Sequence, residues 1–509
     1  MKRCWLTLWA LLLAGVLSAQ SFDQIRERMR AQHRRQAERS AADFEAYRAQ
    51  ANRQFAEQMR RAWVHHDAQP AEPMPMRPEP PRPVVKEPDR EPTSDPIPFK
   101  EVIPLPIPTP PAKPIVPIPT PMTPIVVRPV APEQPIAPEV QPTPEEQPID
   151  PSLFRFEFYG TTCRLSLKAH HRFELRGTDE ESVADGWMHL SSEEYLPVIG
   201  EALAWRDQMA LGDWGYLCFL EQMTRSFFTE SHPNEAVLMQ MFILTQSGYK
   251  VRIARSGEQL VLLMPSEDEI CARPYLTIDG SRYYVIGSNS RSYYIFDQAF
   301  PNEQQLSLLL RQKPHFAEVL TPERTFTTNG KATVSVKVAT NRHLIDFYEG
   351  YPLMRGWARY AQASLSEPVK EQLYPALREL IKEAPERVAA NRLLHFVQTA
   401  FAYQTDEEQF GRERPLFADE TLFYPYCDCE DRSILYAILV RDLLGLDVVL
   451  LHYPGHLATA VRFGGESSGD YFELKEGRYT VCDPTYIGAN VGDAMPQYKN
   501  ESATIIRVD

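Results

Sequence analysis

Cys429, His456 and Asp483 are the side chains whose types and spacing suit covalent chemistry, each 27 residues from the next. Behind Cys429, the apolar residues Ile434, Leu435, Ile438 and Leu439 recur on one helical face. Asp428 can cap that helix, and Asp431 completes a capping-box pattern, which puts Cys429 at the first helical position. A thiol there feels the helix dipole and the unpaired N–H groups, and both favour the nucleophilic thiolate. The neighbouring Glu430 and Asp431 oppose ionisation, so a cationic partner is needed. His456 heads a strand-like run after the turn Tyr453-Pro454-Gly455. Its imidazole can pair with the thiolate and later protonate a leaving amine. Asp483 ends the next strand-like run and can hold that imidazole in one tautomer. Singly, each has a structural reading: a packing cysteine, a strand histidine, a turn former before Pro484. Their order and contexts together favour a Cys-His-Asp triad.

The elements required to position them are an amphipathic helix over 430–444, a helix-ending Gly445, and the strand-like runs that follow. The same plan occurs earlier. Residues 234–254 carry a helix pattern, Gly248 and a β-rich run, and Gln259 and Arg282 head further runs. This predicts an α+β fold with an internal duplication, each module a helix packed on an antiparallel sheet. Aligning Gly248 with Gly445 sets His232 opposite Cys429 and Gln259 opposite His456, and, with one extra residue in the first module, Gly287 opposite Asp483. None of the three can do its counterpart's job, so the first module reads as degenerate.

Residues 385–495 resemble the transglutaminase-like superfamily, whose folds share the papain-like cysteine-enzyme core. The resemblance rests on Cys429-Glu430-Asp431 before an apolar helix, His456 heading a strand, and Asp483-Pro484. It implies Cys429 as nucleophile, His456 as base and Asp483 as orienter, acting on peptide or other amide bonds. A hydrolase, as peptidase or amidase, is the favoured reading. A non-catalytic binding or scaffold protein on this fold and a true crosslinking transglutaminase are the alternatives. Many members have glycine where this chain has Cys427, which leaves two thiols to compare. An oxyanion donor is sought upstream, in Gln398, Gln409 or Tyr424, with Gln409 in the polar loop 406–414 preferred. No cofactor motif is present, and no metal is expected: Cys427 and Cys429 with His452 lack the usual Cys-x-x-Cys pair.

The rest of the chain is set by composition. Of 45 prolines, 29 lie between Pro70 and Pro151. Five segments follow: a signal peptide (1–19), a charged helical segment (20–66), a disordered or polyproline linker (67–151), the degenerate module (152–318) and the catalytic domain (319–509). Phe44, Tyr47, Phe55, Met59 and Trp63 form a narrow apolar stripe in the helical segment, which reads as solvated or partner-binding. The signal peptide implies a periplasmic or secreted protein with no transmembrane helix once it is removed. The net charge of −14 argues against a nucleic-acid partner. The expected partners are a protein or peptide substrate and a cell-envelope component reached through the helix or the proline-rich segment. Six cysteines follow the signal peptide, and their pairing is not readable from spacing.

Overall fold

The computed structural model describes residues 43–74, 82–87, 96–106, 109–113, 152–329, 333–465 and 468–508. The expected signal peptide, the start of the helical segment and residues 114–151 of the linker lie outside the described residues.

The described chain is α+β. An arm comes first, with helix α1 (residues 43–59), β1 (Val64–Asp67) and β2 (Phe99–Ile103). Next are the hairpin β3 (Phe154–Phe158) and β4 (Thr161–Leu165), then helices α2 (Glu180–Ser192), α3 (Leu196–Gln208), α4 (Asp213–Phe228) and α5 (Pro233–Gln246). Strands β5 (Arg252–Ser256), β6 (Gln259–Pro265), β7 (Tyr275–Ile278), β8 (Ser281–Ile286) and β9 (Ser292–Phe296) complete the first half. The second half opens with hairpin β10 (Arg324–Thr327) and β11 (Ser335–Val338), then α6 (Arg342–Glu349), α7 (Ala358–Gln362), α8 (Glu367–Ile381) and α9 (Glu386–Ala400). Short elements β12 (Ala402–Tyr403), α10 (Asp406–Phe410), α11 (Ala418–Phe423) and β13 (Tyr426–Cys427) lead into α12 (Cys429–Leu444). It ends with β14 (Val448–Tyr453), β15 (His456–Arg462), β16 (Tyr471–Leu474), β17 (Gly477–Cys482) and β18 (Ala503–Arg507).

The two six-stranded sheets have the same order. The first runs β1-β9-β5-β6-β8-β7 and the second, read in the matching direction, β2-β18-β14-β15-β17-β16. In each, the helix before the first strand packs on the sheet, α5 on β6 and α12 on β14 and β15. In each, the sixth strand comes from the arm: β1 antiparallel to β9, β2 parallel to β18. Helix α12 is buried on every side from Ile434 to Val440, so it is a core helix whose polar residues crowd its first turn. Gly445 stops it in the left-handed conformation at φ 66°, where its N–H reaches Arg441 O.

The expectation that residues 20–151 stand apart from the globular part fails for the described portion. Phe55, Met59 and Trp63 are buried in the first half, and Phe55 packs on Trp187, Phe296 and Phe300 at 4.7–5.1 Å. Burying each such side chain is worth about 1.5–3 kcal/mol. Asn52, Tyr195 and Gln246 close a buried hydrogen-bonded triangle beneath α1. Further along, the arm pairs Val85 with Ile487, joins Lys86 to Asp493 at 2.6 Å, and adds β2 to the second sheet. It then returns to the first half, where Lys113 lies against Gly248 so closely that no side chain fits there. The proline-free stretch Phe99–Ile103 makes this possible: at a sheet edge only one row of amides needs a partner. The two halves also share one continuous apolar core, through contacts such as Trp214 with Tyr351 and Tyr351 with Phe417.

Candidate functional site

The capping pattern at α12 forms as the spacing suggests. Asp428 is the N-cap, and its N–H donates back to the Asp431 carboxylate at 3.4 Å. Cys429 is therefore the first helical residue and is 1% exposed. Its sulfur accepts the Leu457 N–H at 3.3 Å and donates to Glu430 Oε2 at 3.4 Å. Leu457 directly follows His456 in β15, so the sulfur lies beside the His456 backbone.

His456 Nε2 meets Asp483 Oδ2 at 2.8 Å, with both residues almost completely buried. The carboxylate can only accept, so Nε2 carries the proton and Nδ1, the ring nitrogen nearer the backbone, is the basic one. Antiparallel pairing of β15 with β17 brings the two side chains together, because Asp483 immediately follows β17. Asp483 is a turn former as well: its Oδ1 accepts from Thr485 and Tyr486 N–H at 2.9 and 3.2 Å. On the open side of the imidazole, Tyr498 stacks at 5.0 Å and 7°.

The other candidates separate. Cys427 belongs to the small β12–β13 pair, its thiol facing Ala402 O, and burial pushes its pKa up to about 11. Burial likewise pushes Cys482 up to about 12. His452 packs on the Trp357 indole at 4.7 Å. Gln398 spends its Nε2 on Asp483 O, Tyr486 O and Ala489 O at 2.9–3.1 Å, so it fastens the Asp483 loop and is no oxyanion donor. Tyr424 donates to Glu349. Gln409 reaches Tyr426 O at 3.4 Å, on the strand that leads into Cys429. The six cysteines among the described residues are all free thiols.

Sequence reasoning missed the most unusual feature. The loop 406–414 reads as a solvated polar turn, yet Asp406, Glu413 and Arg414 are buried beside Asp428, Glu430 and Asp431. Carboxylate oxygens of Asp406, Glu413 and Glu430, and of Asp406, Asp428 and Asp431, lie within 4.8 Å of one another. By oxygen chemistry these are the side chains that could hold a divalent cation. Within the chain they are served by backbone donors: Arg414 N–H to Asp406 and Leu416 N–H to Asp431. Burial first, then the charges of Glu430 and Asp431, pushes the Asp406 carboxyl up to about 10. Asp431 is raised for the same reasons, burial and then Glu430. Arg432, also buried, holds this end of the helix by donating to Gln398 O and Phe401 O. No signal in the sequence separates such buried acids from ordinary surface ones.

No helix among the described residues is long and apolar enough to cross a membrane. No family model, curated protein or solved structure matches the chain.

Proposed function

We propose that the chain is an exported, transglutaminase-like cysteine enzyme that opens peptide or other amide bonds through Cys429, His456 and Asp483, with water as the acyl acceptor. The observation that carries this reading is the buried 2.8 Å pair of His456 Nε2 and Asp483 Oδ2, one residue from the N–H that bonds the Cys429 sulfur. In the proposed reaction the His456 Nδ1 takes the thiol proton, and the sulfur attacks the amide carbonyl carbon. The C–N bond then breaks as the imidazolium returns its proton to the amine, leaving a thioester on Cys429. Water attacks that thioester with the same imidazole as base, releasing the acid and the thiol. Asp483 keeps the imidazole in its tautomer and stabilises its cation.

A second reading, a binding or scaffold protein on the same fold, is favoured by one observation: Cys429 and His456 are each 1% exposed. Alkylation separates the two. With the reduced full chain at neutral pH, iodoacetamide should modify Cys429 ahead of Cys427 and Cys482, and the preference should vanish in His456→Ala. Faster modification of Cys427 or Cys482, or labelling of Cys429 indifferent to His456, would sink the enzyme reading.

A further inference from the structure

The first half has a cleft at the place that the triad fills in the second. It measures about 510 Å³ and opens between α4, α5 and the strands β6 and β8. Gln259 and Gly287, the residues aligned with His456 and Asp483, both line it. The helix contributes Asn234. In the second half, the N–H of Leu457, one past His456, donates to Cys429 Sγ at 3.3 Å. In the first half, the N–H of Leu260, one past Gln259, donates to Asn234 Oδ1 at 2.9 Å. Asn234, and not His232, therefore stands where the thiol stands; His232 instead meets the Ser231 hydroxyl. At the carboxylate position there is only space: a Cβ built on Gly287 would meet nothing within 4 Å.

We infer that this cleft is a binding site for an extended peptide segment, holding substrate chains for the thiol site; the peptide class rests on the function proposed above. Its volume is that of a small-ligand site. Its lining offers neutral amides and hydroxyls, such as Gln259 and Thr224, over an apolar floor that includes Val237 and Ile286. That combination matches a backbone of alternating amides and side chains. No aromatic ring lines it, which leaves nothing for a sugar or base to stack on. On its rim Glu221 and Arg225 neutralise each other in a 2.8 Å ion pair and Glu230 adds one acidic charge, which disfavours a phosphate. Asn234 is committed to both sides of the β6 turn, accepting from Leu260 and donating to Glu258 O, and so it braces the cleft without reacting. A second holding site on the same rigid core raises the local concentration of a tethered chain without new chemistry.

The test uses the full chain with Cys429→Ala, so that binding is read without turnover, and fluorescein-labelled tryptic peptides of casein as the probe. Anisotropy should show binding that weakens by about tenfold or more, equivalent to about 1.4 kcal/mol, when the cleft is filled by Val237→Trp. Gln259→Trp does the same from an exposed position and covers the case in which Val237→Trp does not fold. Unchanged affinity in the folded variants, absence of peptide binding, or binding of chitin oligosaccharides in place of peptides would overturn the inference. With Cys429 intact, peptide cleavage whose KM is unmoved by either filling also overturns it while leaving the thiol chemistry standing. Peptide binding that the fillings abolish, in a wild type that cleaves nothing, would remove the proposed chemistry and keep the binding site.

Discussion

Asp406→Asn tests whether the acids at the head of α12 are held protonated. The folded-state pKa of Asp406 is pushed up to about 10, against an ordinary value of 3.8, by burial and by Glu430 and Asp431. The folded chain therefore keeps a proton that the unfolded chain releases. The stability tied to that proton is complete below about pH 3.8 and drains as pH rises towards 10. One proton gives a slope of about 1.4 kcal/mol per pH unit, so between pH 5 and pH 8 the wild type should lose about 4 kcal/mol from this group. Asparagine keeps the shape and the acceptor for the Arg414 N–H, a 2.6 Å bond, and has no proton to lose. The variant should unfold at similar urea concentration at pH 5 and pH 8, while the wild type shifts to lower urea at pH 8. Tryptophan fluorescence across a urea series at each pH reads this, and the difference between the two chains cancels the titrating groups that do not touch the cluster. Equal pH slopes for the two proteins would refute protonation of the cluster.

Three further outcomes follow from the packing. Phe55→Ala should cost about 3–5 kcal/mol, read as a lowered urea midpoint, because the ring fills a site among Trp187, Phe296 and Phe300; a loss below about 1 kcal/mol would mean α1 is only loosely docked. Gln398→Ala should slow iodoacetamide modification of Cys429 by about tenfold or more with the fold intact, since it frees three carbonyls of the loop that carries Asp483; an unchanged rate would show that the loop holds without it. Tyr498→Ala should instead speed that modification, because the ring stacked on His456 shields the site; a slower rate would argue that Tyr498 orients the imidazole and does not cover it.

What could be read from the sequence was whatever local signals set. Asp428, the apolar face behind it and Gly445 bound α12 on both sides, and the runs that follow match β14, β15 and β17. The alternation of those runs carries no information about partners, so the shared strand order of the two sheets emerged only from the structure. The His232 alignment failed by two positions because α5 starts 15 residues before Gly248, against 16 for α12 before Gly445, and the residue that meets the Leu260 N–H is the second of α5 where Cys429 is the first of α12. The arm was misread because proline content averages over a window, while docking is decided by a few residues: Phe55, Met59 and Trp63 in one place, Phe99–Ile103 in another. In loop 406–414 composition misled outright, since a buried acid and an exposed one are the same letter.

The two sheets differ where it matters by the length of one connection. After β8 the chain crosses residues 287–291 and enters β9, and the ground beside Gly287 stays open. After β17 it takes residues 483–502 to reach β18, and that longer path brings Asp483 to His456 and Tyr498 over the ring. Low local dielectric strengthens the His456–Asp483 bond, and the same burial leaves the Cys429 sulfur 1% exposed. Orientation of the imidazole and access to the thiol are thus set by one loop. That loop is fastened on its inner side by Gln398 from α9 and on its outer side by Val85 and Lys86 of the arm. The outer contacts are one backbone pairing and one ion pair, whereas the inner ones are three hydrogen bonds from one buried amide, so the geometry that Asp483 imposes on His456 rests chiefly on Gln398.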